Sequence, residues 1–472
     1  MAEHLDAAKM AEAASDYAAA AREYRAIVGL RPEWALIRQS LGVSLHLAGR
    51  YGEAIKHLSE AVRLDDRLWG AFLFLGMDYY LTHRFRRGID ALQRSADLNP
   101  DLLETQRWLG LSHAAVGAYD RAIHHLRRVA VADDRDPEAL FSLARAYDSR
   151  ASQLFETIGA AEPGSPFVFL LQAERFASQG ETERARAEYR RALDLRPDLA
   201  GILGPDEASR RGAPVEIPEG GGLFAGIRDS FAAGRYSLVA QQAESVLAAE
   251  PGNAEAMYWL GRASKGLAAG MLERLTEVAP DSHRVDQLEA EFHMDRTEFS
   301  KAIDAYGRAL RKQPRLPGLR YALGQAHRRM GSFEEAARWL EDELDRNPHH
   351  ALARYGLGSL LLDRGRPAEA LPHLMRAAAA DPESSEVRFD LGRAYLETRD
   401  YAAAAREFEG YARSGEGNDR VHFLLASAYR GLGRTDDARR ELEIYRDLSR
   451  QRLRQVQDDV RKVSEDVNRL PR

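Results

Sequence analysis

A small residue returns every 34 positions along most of this chain. The first series is Ala20, Ala54, Gly88 and Ala122, and after an interruption the second is Ala302, Ala336, Ala370, Ala404 and Ala438. A period of 34 in a chain rich in helix-forming residues is typical of stacked helix–turn–helix repeats. Each such repeat buries its apolar face against the next one. The number of domains therefore cannot be inferred from the length of the chain. The period therefore predicts an all-α solenoid.

A longer motif surrounds the small residue in each repeat. It is clearest at Leu357, Gly358, Leu361, Gly365, Ala370, Leu374, Ala377 and Pro382. Small residues at the eighth and twentieth positions let two helices approach closely, and proline at position 32 ends the second helix. The motif resembles the tetratricopeptide repeat over nearly the whole chain. The resemblance implies a right-handed superhelical solenoid that binds other proteins.

The register gives about 13 repeats, two of which are short. The repeats begin near residues 1, 35, 69, 103, 137, 166, 220, 254, 283, 317, 351, 385 and 419. The step from Ala122 to Ala151 is 29 residues, and so is the step from Val239 to Ala268. The missing residues fall in the turn between the two helices. We therefore expect one bent or nearly continuous helix at each of these places.

Both short repeats belong to a longer duplication with an offset of 117 residues. Matching pairs include Gly117 and Gly234, Tyr119 and Tyr236, Glu138 and Glu255, Pro163 and Pro280, and Ser165 and Ser282. The copies diverge after Gly201, where prolines and a glycine triplet predict a surface loop or hinge over 204–222. The predicted domains are an N-terminal array (1–203), this loop, a C-terminal array (223–449) and a C-terminal helix (450–472).

The C-terminal helix carries a heptad-like apolar pattern at Val460, Val463, Val467 and Leu470. One interpretation is a polar cap that covers the last apolar face of the solenoid. The other is a short coiled coil that joins two copies of the chain. We expect a monomer, with a dimer through this helix as the alternative.

Composition excludes several classes of partner. The chain has 67 basic and 73 acidic residues, without the basic excess of a nucleic-acid-binding protein. No apolar run reaches the length of about 18 residues needed for membrane insertion. The first residues do not form a signal peptide, so we expect a cytoplasmic protein, or a periplasmic or exported one whose leader has been removed. The preference for arginine over lysine and the abundance of alanine are typical of a GC-rich bacterial gene.

Chemistry-bearing motifs are not found in the sequence. The chain has no cysteine, which excludes disulfides and thiolate ligands. The triplet at 220–222 lacks the lysine and hydroxyl residue of a phosphate-binding loop. The pairs His124–His125 and His349–His350 are adjacent, and neighbours on a helix do not face each other. We therefore expect no enzymatic activity, no cofactor and no metal.

In the family that the motif resembles, the concave surface is formed by positions 2, 5, 9 and 12 of each first helix. Position 5 is aromatic in Phe141, Tyr258, Tyr321, Tyr355, Phe389 and Phe423. The last four are 34 residues apart, and we call them the aromatic ladder. Aromatic side chains offer a large contact area at a small entropy cost, so the ladder is a candidate groove for a partner. The alternative is that these rings only pack against neighbouring repeats.

Two further sets of inner positions bear on binding. The N-terminal repeats place Leu36, Val43, Leu73, Met77, Tyr80, Trp108 and Leu111 there, which predicts an apolar patch or ordinary packing. Position 9 holds Gln325, Ser359, Arg393 and Ser427 instead of the asparagines that clamp a terminal carboxylate in some family members. That clamp is therefore excluded. Arg145, Arg262 and Arg393 could still meet an acidic ligand, although isolated arginines are usually solvated.

The sequence thus favours a scaffold or adaptor that binds a peptide or protein partner in a concave groove. One alternative is an accessory or regulatory subunit that recognises a small-molecule or carbohydrate ligand or an enzyme partner. Another is a structural protein that assembles through its C-terminal helix. The sequence does not identify the partner.

Overall fold

The computed structural model describes residues 1–199, 224–314, 316–382, 384–413 and 419–468, with side chains of the last helix described through Arg454 and at Gln457. All of the regular structure in these ranges is helical. The predicted all-α solenoid of helix pairs is confirmed. The residues form two compact units, which are Met1–Tyr80 with Arg84–Val285, and Leu81–His83 with Asp286–Arg472. We call them unit 1 and unit 2.

Unit 1 contains the helices of the first eight repeats. They are α1 (Ala2–Ala13), α2 (Tyr17–Leu30), α3 (Ala35–Leu47), α4 (Tyr51–Leu64), α5 (Trp69–Leu81), α6 (Phe85–Leu98), α7 (Leu103–Ala115), α8 (Tyr119–Ala132), α9 (Pro137–Ala161), α10 (Pro166–Ser178), α11 (Thr182–Leu195), α12 (Ala225–Ala232), α13 (Tyr236–Ala249) and α14 (Ala254–Val278). The last residue of α5, Leu81, is assigned to unit 2.

Unit 2 contains the remaining five repeats. Its helices are α15 (His283–Asp295), α16 (Phe299–Lys312), α17 (Leu319–Met330), α18 (Phe333–Arg346), α19 (Ala351–Asp363), α20 (Pro367–Ala380), α21 (Ser385–Glu397), α22 (Tyr401–Arg413), α23 (Arg420–Gly431) and α24 (Thr435–Asn468). The first three residues of α15 belong to unit 1.

Close contact between the two helices of a repeat depends on glycine at the eighth position. A Cβ atom added to Gly42 would lie 2.5 Å from Cγ of Leu58, and the same clash occurs between later pairs. Those pairs are Gly76 with Leu92, Gly110 with Leu126, Gly324 with Leu340, and Gly358 with Leu374. Each leucine lies in the second helix of the same repeat. The contact between the two helices of an ordinary repeat therefore depends on a glycine and a leucine at fixed positions within that repeat.

The two short repeats are single helices, as their missing turns predict. Helices α9 and α14 each run unbroken for 25 residues. The other repeats have two helices each. Without the turn, the second half of each long helix extends away from the first half and cannot fold back on it.

Helices α9 and α14 pack against each other and complete each other's repeats. At Gly261 in α14, an added Cβ would lie 2.3 Å from Phe155 in the second half of α9. Conversely, Leu267 and Leu272 in the second half of α14 pack on the core cluster that contains Ala144 of α9. Each long helix therefore supplies the second helix of the repeat that the other begins. We call this arrangement the helix exchange.

An approximate two-fold relation is visible where the two long helices cross. Asp148 and Lys265, which are equivalent residues 117 positions apart, form an ion pair of 2.5 Å. Nearby, the buried guanidinium of Arg150 donates to Ser264 Oγ at 3.0 Å and to Glu244 at 2.9 Å. Contact between equivalent residues indicates that the duplication folds here as a pair of interlocked copies.

The predicted domain boundaries fall at the loop 204–222 and at the C-terminal helix. The predicted loop 204–222 lies outside the described residues. Helices α11 and α12, on either side of it, both belong to unit 1, and the division into two arrays remains a proposal. Helix α24 runs continuously from the last repeat into the predicted C-terminal segment. The side chains of its heptad pattern lie outside the described ones.

Helix α24 is attached to the start of α23 by polar contacts. Ser449 Oγ donates to Asp419 at 2.9 Å, and Arg452 donates to the other oxygen of Asp419 at 3.0 Å. The apolar contact of the pair includes the buried Ala438 and the partly buried Leu442. The first part of α24 therefore serves as the second helix of the last repeat.

Candidate binding surface

The aromatic ladder lies in unit 2, with one ring on the first helix of each of four consecutive repeats. These helices are α17, α19, α21 and α23. Tyr321, Tyr355 and Phe389 are half-buried, and Phe423 is 43% exposed. Four equivalent helices therefore each keep one aromatic side chain partly open to solvent.

Two ladder rings also pack against the second helices of their own repeats. The Phe389 ring lies 5.2 Å from that of Tyr411 and 6.1 Å from that of Phe408. The Phe423 ring lies 5.7 Å from that of Tyr445. These contacts orient the rings and hold them in place. Packing and partial exposure therefore coexist at the same positions.

The two tyrosines of the ladder are held by polar neighbours. The Tyr321 ring lies 5.3 Å from that of His350. The Tyr355 hydroxyl lies beside the Asp390 carboxylate. Burial raises the pKa of Tyr355, and the negative charges of Asp390 and Glu386 raise it further. The hydroxyl therefore stays protonated and acts as a donor.

A string of alternating charges runs beside the ladder. Arg328 lies 3.8 Å from Asp363, Asp363 lies 3.3 Å from Arg393, and Arg393 lies 2.9 Å from Asp390. Burial by itself would lower the pKa of Arg393, but the two carboxylates outweigh it and raise the pKa. Arg393, a predicted binding residue, is thus already paired. The four charges cancel.

The other two predicted aromatic positions are buried in unit 1. Tyr258 is fully buried, with its ring 5.2 Å from that of Phe167 and 5.3 Å from that of Trp259. Phe141 is 7% exposed. The neighbours that cover Tyr258 include residues of α9 and α10, which the helix exchange brings to it. Phe141 and Tyr258 therefore form part of the core and not of an open surface.

The predicted N-terminal residues Tyr80 and Trp108 contact each other. Their rings meet edge to face at 5.3 Å, and the Trp108 indole donates to Glu104 at 2.7 Å. Leu36 of the same patch is exposed, whereas Leu73 is buried. Part of this patch is therefore internal packing.

A partly buried charge cluster that sequence reasoning did not identify as a site surrounds Glu138. The Glu138 carboxylate accepts a hydrogen bond from Arg284 Nε at 3.0 Å and lies 2.8 Å from His283 Nε2. The Arg284 guanidinium lies over the Phe141 ring, 4.5 Å from its centroid. Burial alone would raise the pKa of Glu138, but the Arg284 guanidinium and the adjacent His283 ring lower it to about 2.

The low pKa of Glu138 predicts a pH-dependent contribution to stability. Since the folded pKa lies below the ordinary value of 4.5, the stabilisation is present above pH 4.5 and is lost as the pH falls toward 2. Glu138→Gln should lower the free energy of unfolding by about 1 kcal/mol near pH 7, because about a third of the side chain is exposed and solvent screens the pair.

Urea unfolding of the wild type and of Glu138→Gln, compared from about pH 7 down to about pH 3, measures this effect. The difference between the two proteins should shrink as the pH falls. Glu156→Gln, which changes an exposed carboxylate on the same helix, is the control and should show almost no difference. A difference in the free energy of unfolding between the wild type and Glu138→Gln that does not change with pH would contradict the lowered pKa of Glu138.

The described residues contain neither a metal-binding cluster nor a membrane-spanning helix. No group of three or more histidine, aspartate or glutamate side chains is placed to hold a metal ion. Within the same ranges, none of the helices combines the length and the apolar character needed to cross a membrane.

Comparison with known proteins gives a family match over more than half of the chain. A model described as "Tetratricopeptide repeat" matches residues 5–67, 75–137, 288–344, 321–385 and 389–451, and a second of the same description matches 361–415. These matched ranges leave out 138–287, which holds the helix exchange. No curated protein matches the chain.

Several solved structures resemble part of this chain. One is MamA, with 20% identity over 37% of this chain and 96% of that chain, and a TM-score of 0.34. Another is YrrB, titled as a TPR protein with an unusual peptide-binding site, with 20% identity over 37% of this chain and 89% of that one, also at a TM-score of 0.34. A third is MamA from Desulfovibrio magneticus RS-1, with 20% identity over 36% of this chain and 96% of that chain, and a TM-score of 0.34.

The helix pairs, the glycine contacts between them and the one-per-repeat display of side chains define an all-α repeat protein of the scaffold class. Such proteins present side chains from successive repeats on one continuous surface. The chain belongs to the tetratricopeptide repeat family, whose members are, in general, scaffolds for protein–protein interaction.

Proposed function

We propose that this protein binds an extended segment of a partner polypeptide along the aromatic ladder of unit 2. The supporting observation is the partial exposure of four equivalent rings on four consecutive first helices. Each ring is fixed by its neighbours before the partner arrives. Binding therefore orders few protein side chains, which keeps its entropic cost low.

The charge string beside the ladder suits a partner whose main chain is extended. Arg328 and Arg393 can donate to carbonyl groups, while Asp363, which is half exposed, can accept from amide groups. Because the four charges cancel, these side chains favour hydrogen bonds to the partner's main chain over general attraction of a basic or an acidic partner. Affinity accumulates over several repeats and does not depend on one deep pocket.

Alanine replacement of a ladder ring should weaken peptide binding strongly. Phe389→Ala is expected to reduce retention of a pooled, fluorescein-labelled nonapeptide library on the immobilised full chain at least about tenfold, since buried aromatic anchors dominate such interfaces. Phe423→Ala should act in the same direction. Retention is measured as bound fluorescence at equilibrium.

Phe333→Ala is the matched control. Phe333 is 37% exposed in the same unit, but it lies at the start of a second helix, outside the ladder. This variant should change retention by less than about twofold. Equal losses for Phe333→Ala and Phe389→Ala, or no retention by the wild type, would count against the proposal.

A further inference from the structure

Three repeats share a glutamate at position 2 and an aromatic residue at position 5 of the first helix. These pairs are Glu138 with Phe141, Glu255 with Tyr258, and Glu386 with Phe389. Since three residues make almost one helical turn, the two side chains of each pair lie on the same helix face. The three repeats can therefore be compared position by position.

In the first pair, the chain itself supplies a guanidinium group. Arg284 donates to the Glu138 carboxylate through Nε at 3.0 Å and also through Nη2. Its guanidinium carbon lies 4.5 Å from the centroid of the Phe141 ring. The acid pairs with the cation while the ring stacks on it. This geometry shows that a glutamate at position 2 and an aromatic ring at position 5 can together hold a guanidinium group.

In the second pair, the carboxylate is again held by arginines. Arg196 and Arg228 each donate to Glu255 at 3.1 Å, one to each carboxylate oxygen. These arginines come from other elements than Arg284 does, and Tyr258 is buried among other rings. The glutamate at position 2 is thus paired with guanidinium groups in both copies of the duplication.

In the third pair, the glutamate is exposed and forms no ion pair with any described residue. Glu386 accepts a hydrogen bond from Ser384 Oγ at 3.2 Å. Within the described parts of the chain, no arginine, lysine or histidine nitrogen forms an ion pair with it. The neighbouring Asp390 is already paired with Arg393. Glu386 therefore adds one uncompensated negative charge beside the partly exposed ring of Phe389.

We propose that Glu386 and Phe389 bind the side chain of an arginine in the partner polypeptide. This inference rests on the proposed function and names the chemistry of one residue in its ligand. The planar guanidinium fits better than an ammonium group because it can stack on the ring while its N–H groups donate to the carboxylate. The partner thus carries arginine where it crosses α21.

The test uses the full chain and four labelled pools of random nonapeptides. The central residue of each pool is fixed as arginine, lysine, citrulline or leucine, where citrulline keeps the shape of arginine without its charge. Wild type should retain the arginine pool about tenfold more than the citrulline pool, as expected for a charge-assisted, partly exposed contact. Lysine should fall between them.

Glu386→Gln should remove the preference for arginine over citrulline. Glu397→Gln, which alters an exposed glutamate near the end of the same helix, should keep the preference. Phe389→Ala should weaken retention of all pools. Equal retention of arginine and citrulline by the wild type would overturn this inference alone. Failure to retain any pool would overturn the proposed function as well.

Discussion

Trp259→Ala is expected to lower the free energy of unfolding of unit 1 by about 3–5 kcal/mol, the usual cost of truncating a buried aromatic side chain. Trp259 is 1% exposed. Its ring lies 5.3 Å from that of Phe231 and 5.3 Å from that of Tyr258. The cavity left by the indole cannot be refilled without moving α12 and α14.

The helix exchange is tested by which helices lose hydrogen-exchange protection in Trp259→Ala. Trp259 shares a core cluster with Ile158 in the second half of α9 and with Phe167 and Leu170 in α10. Hydrogen exchange measured by mass spectrometry should therefore show lost protection in α9 and α10, about a hundred residues earlier in the chain. Loss confined to α12–α14 would show that the exchange does not form in solution.

Trp69→Ala provides the control for this experiment. Trp69 belongs to the same unit but is 42% exposed at the start of α5. Its removal should change the free energy of unfolding by no more than about 1 kcal/mol. It should also leave the protection of α9 and α10 as in the wild type. The comparison separates loss of a tryptophan from loss of this particular contact.

Gly261→Ala is expected to destabilise unit 1 by about 1–3 kcal/mol, because the added methyl group overpacks the contact with Phe155. The new Cβ would lie 2.3 Å from one ring carbon and 2.7 Å from the next. An aromatic ring has no flexible end that could move aside. Phe155→Leu should relieve much of the clash.

The contact is tested by the energetic coupling between Gly261→Ala and Phe155→Leu. Urea unfolding of both single variants and of the double variant gives an interaction energy, which should be at least about 1 kcal/mol. Gly270→Ala is the control, since nothing lies within 4 Å of a Cβ at that position of the same helix. It should stabilise the helix by up to about 1 kcal/mol. Additive effects of Gly261→Ala and Phe155→Leu would contradict the contact.

For the binding surface, the sequence predicted the positions of the rings but not their exposure. The register placed Phe141, Tyr258 and the four ladder residues at the same point of the repeat. Exposure depends on what packs over each ring. Phe167 from α10 covers Tyr258, and Arg284 from α15 covers Phe141, whereas Phe423 keeps an open face. No periodicity contains that information, because the covering groups come from other repeats.

The sequence alone determined the helix-pair fold, because the contacts that close an ordinary repeat join residues a fixed short distance apart, such as Gly42 and Leu58. It also predicted a bent or nearly continuous helix at α9 and at α14, because the turn residues are missing. Only the tertiary structure decided which second helix completes which first helix. The position of Phe155 in the repeat pattern is the same whether or not it contacts Gly261. The pairing of α9 with α14 therefore depends on a long-range contact, which the local pattern does not encode.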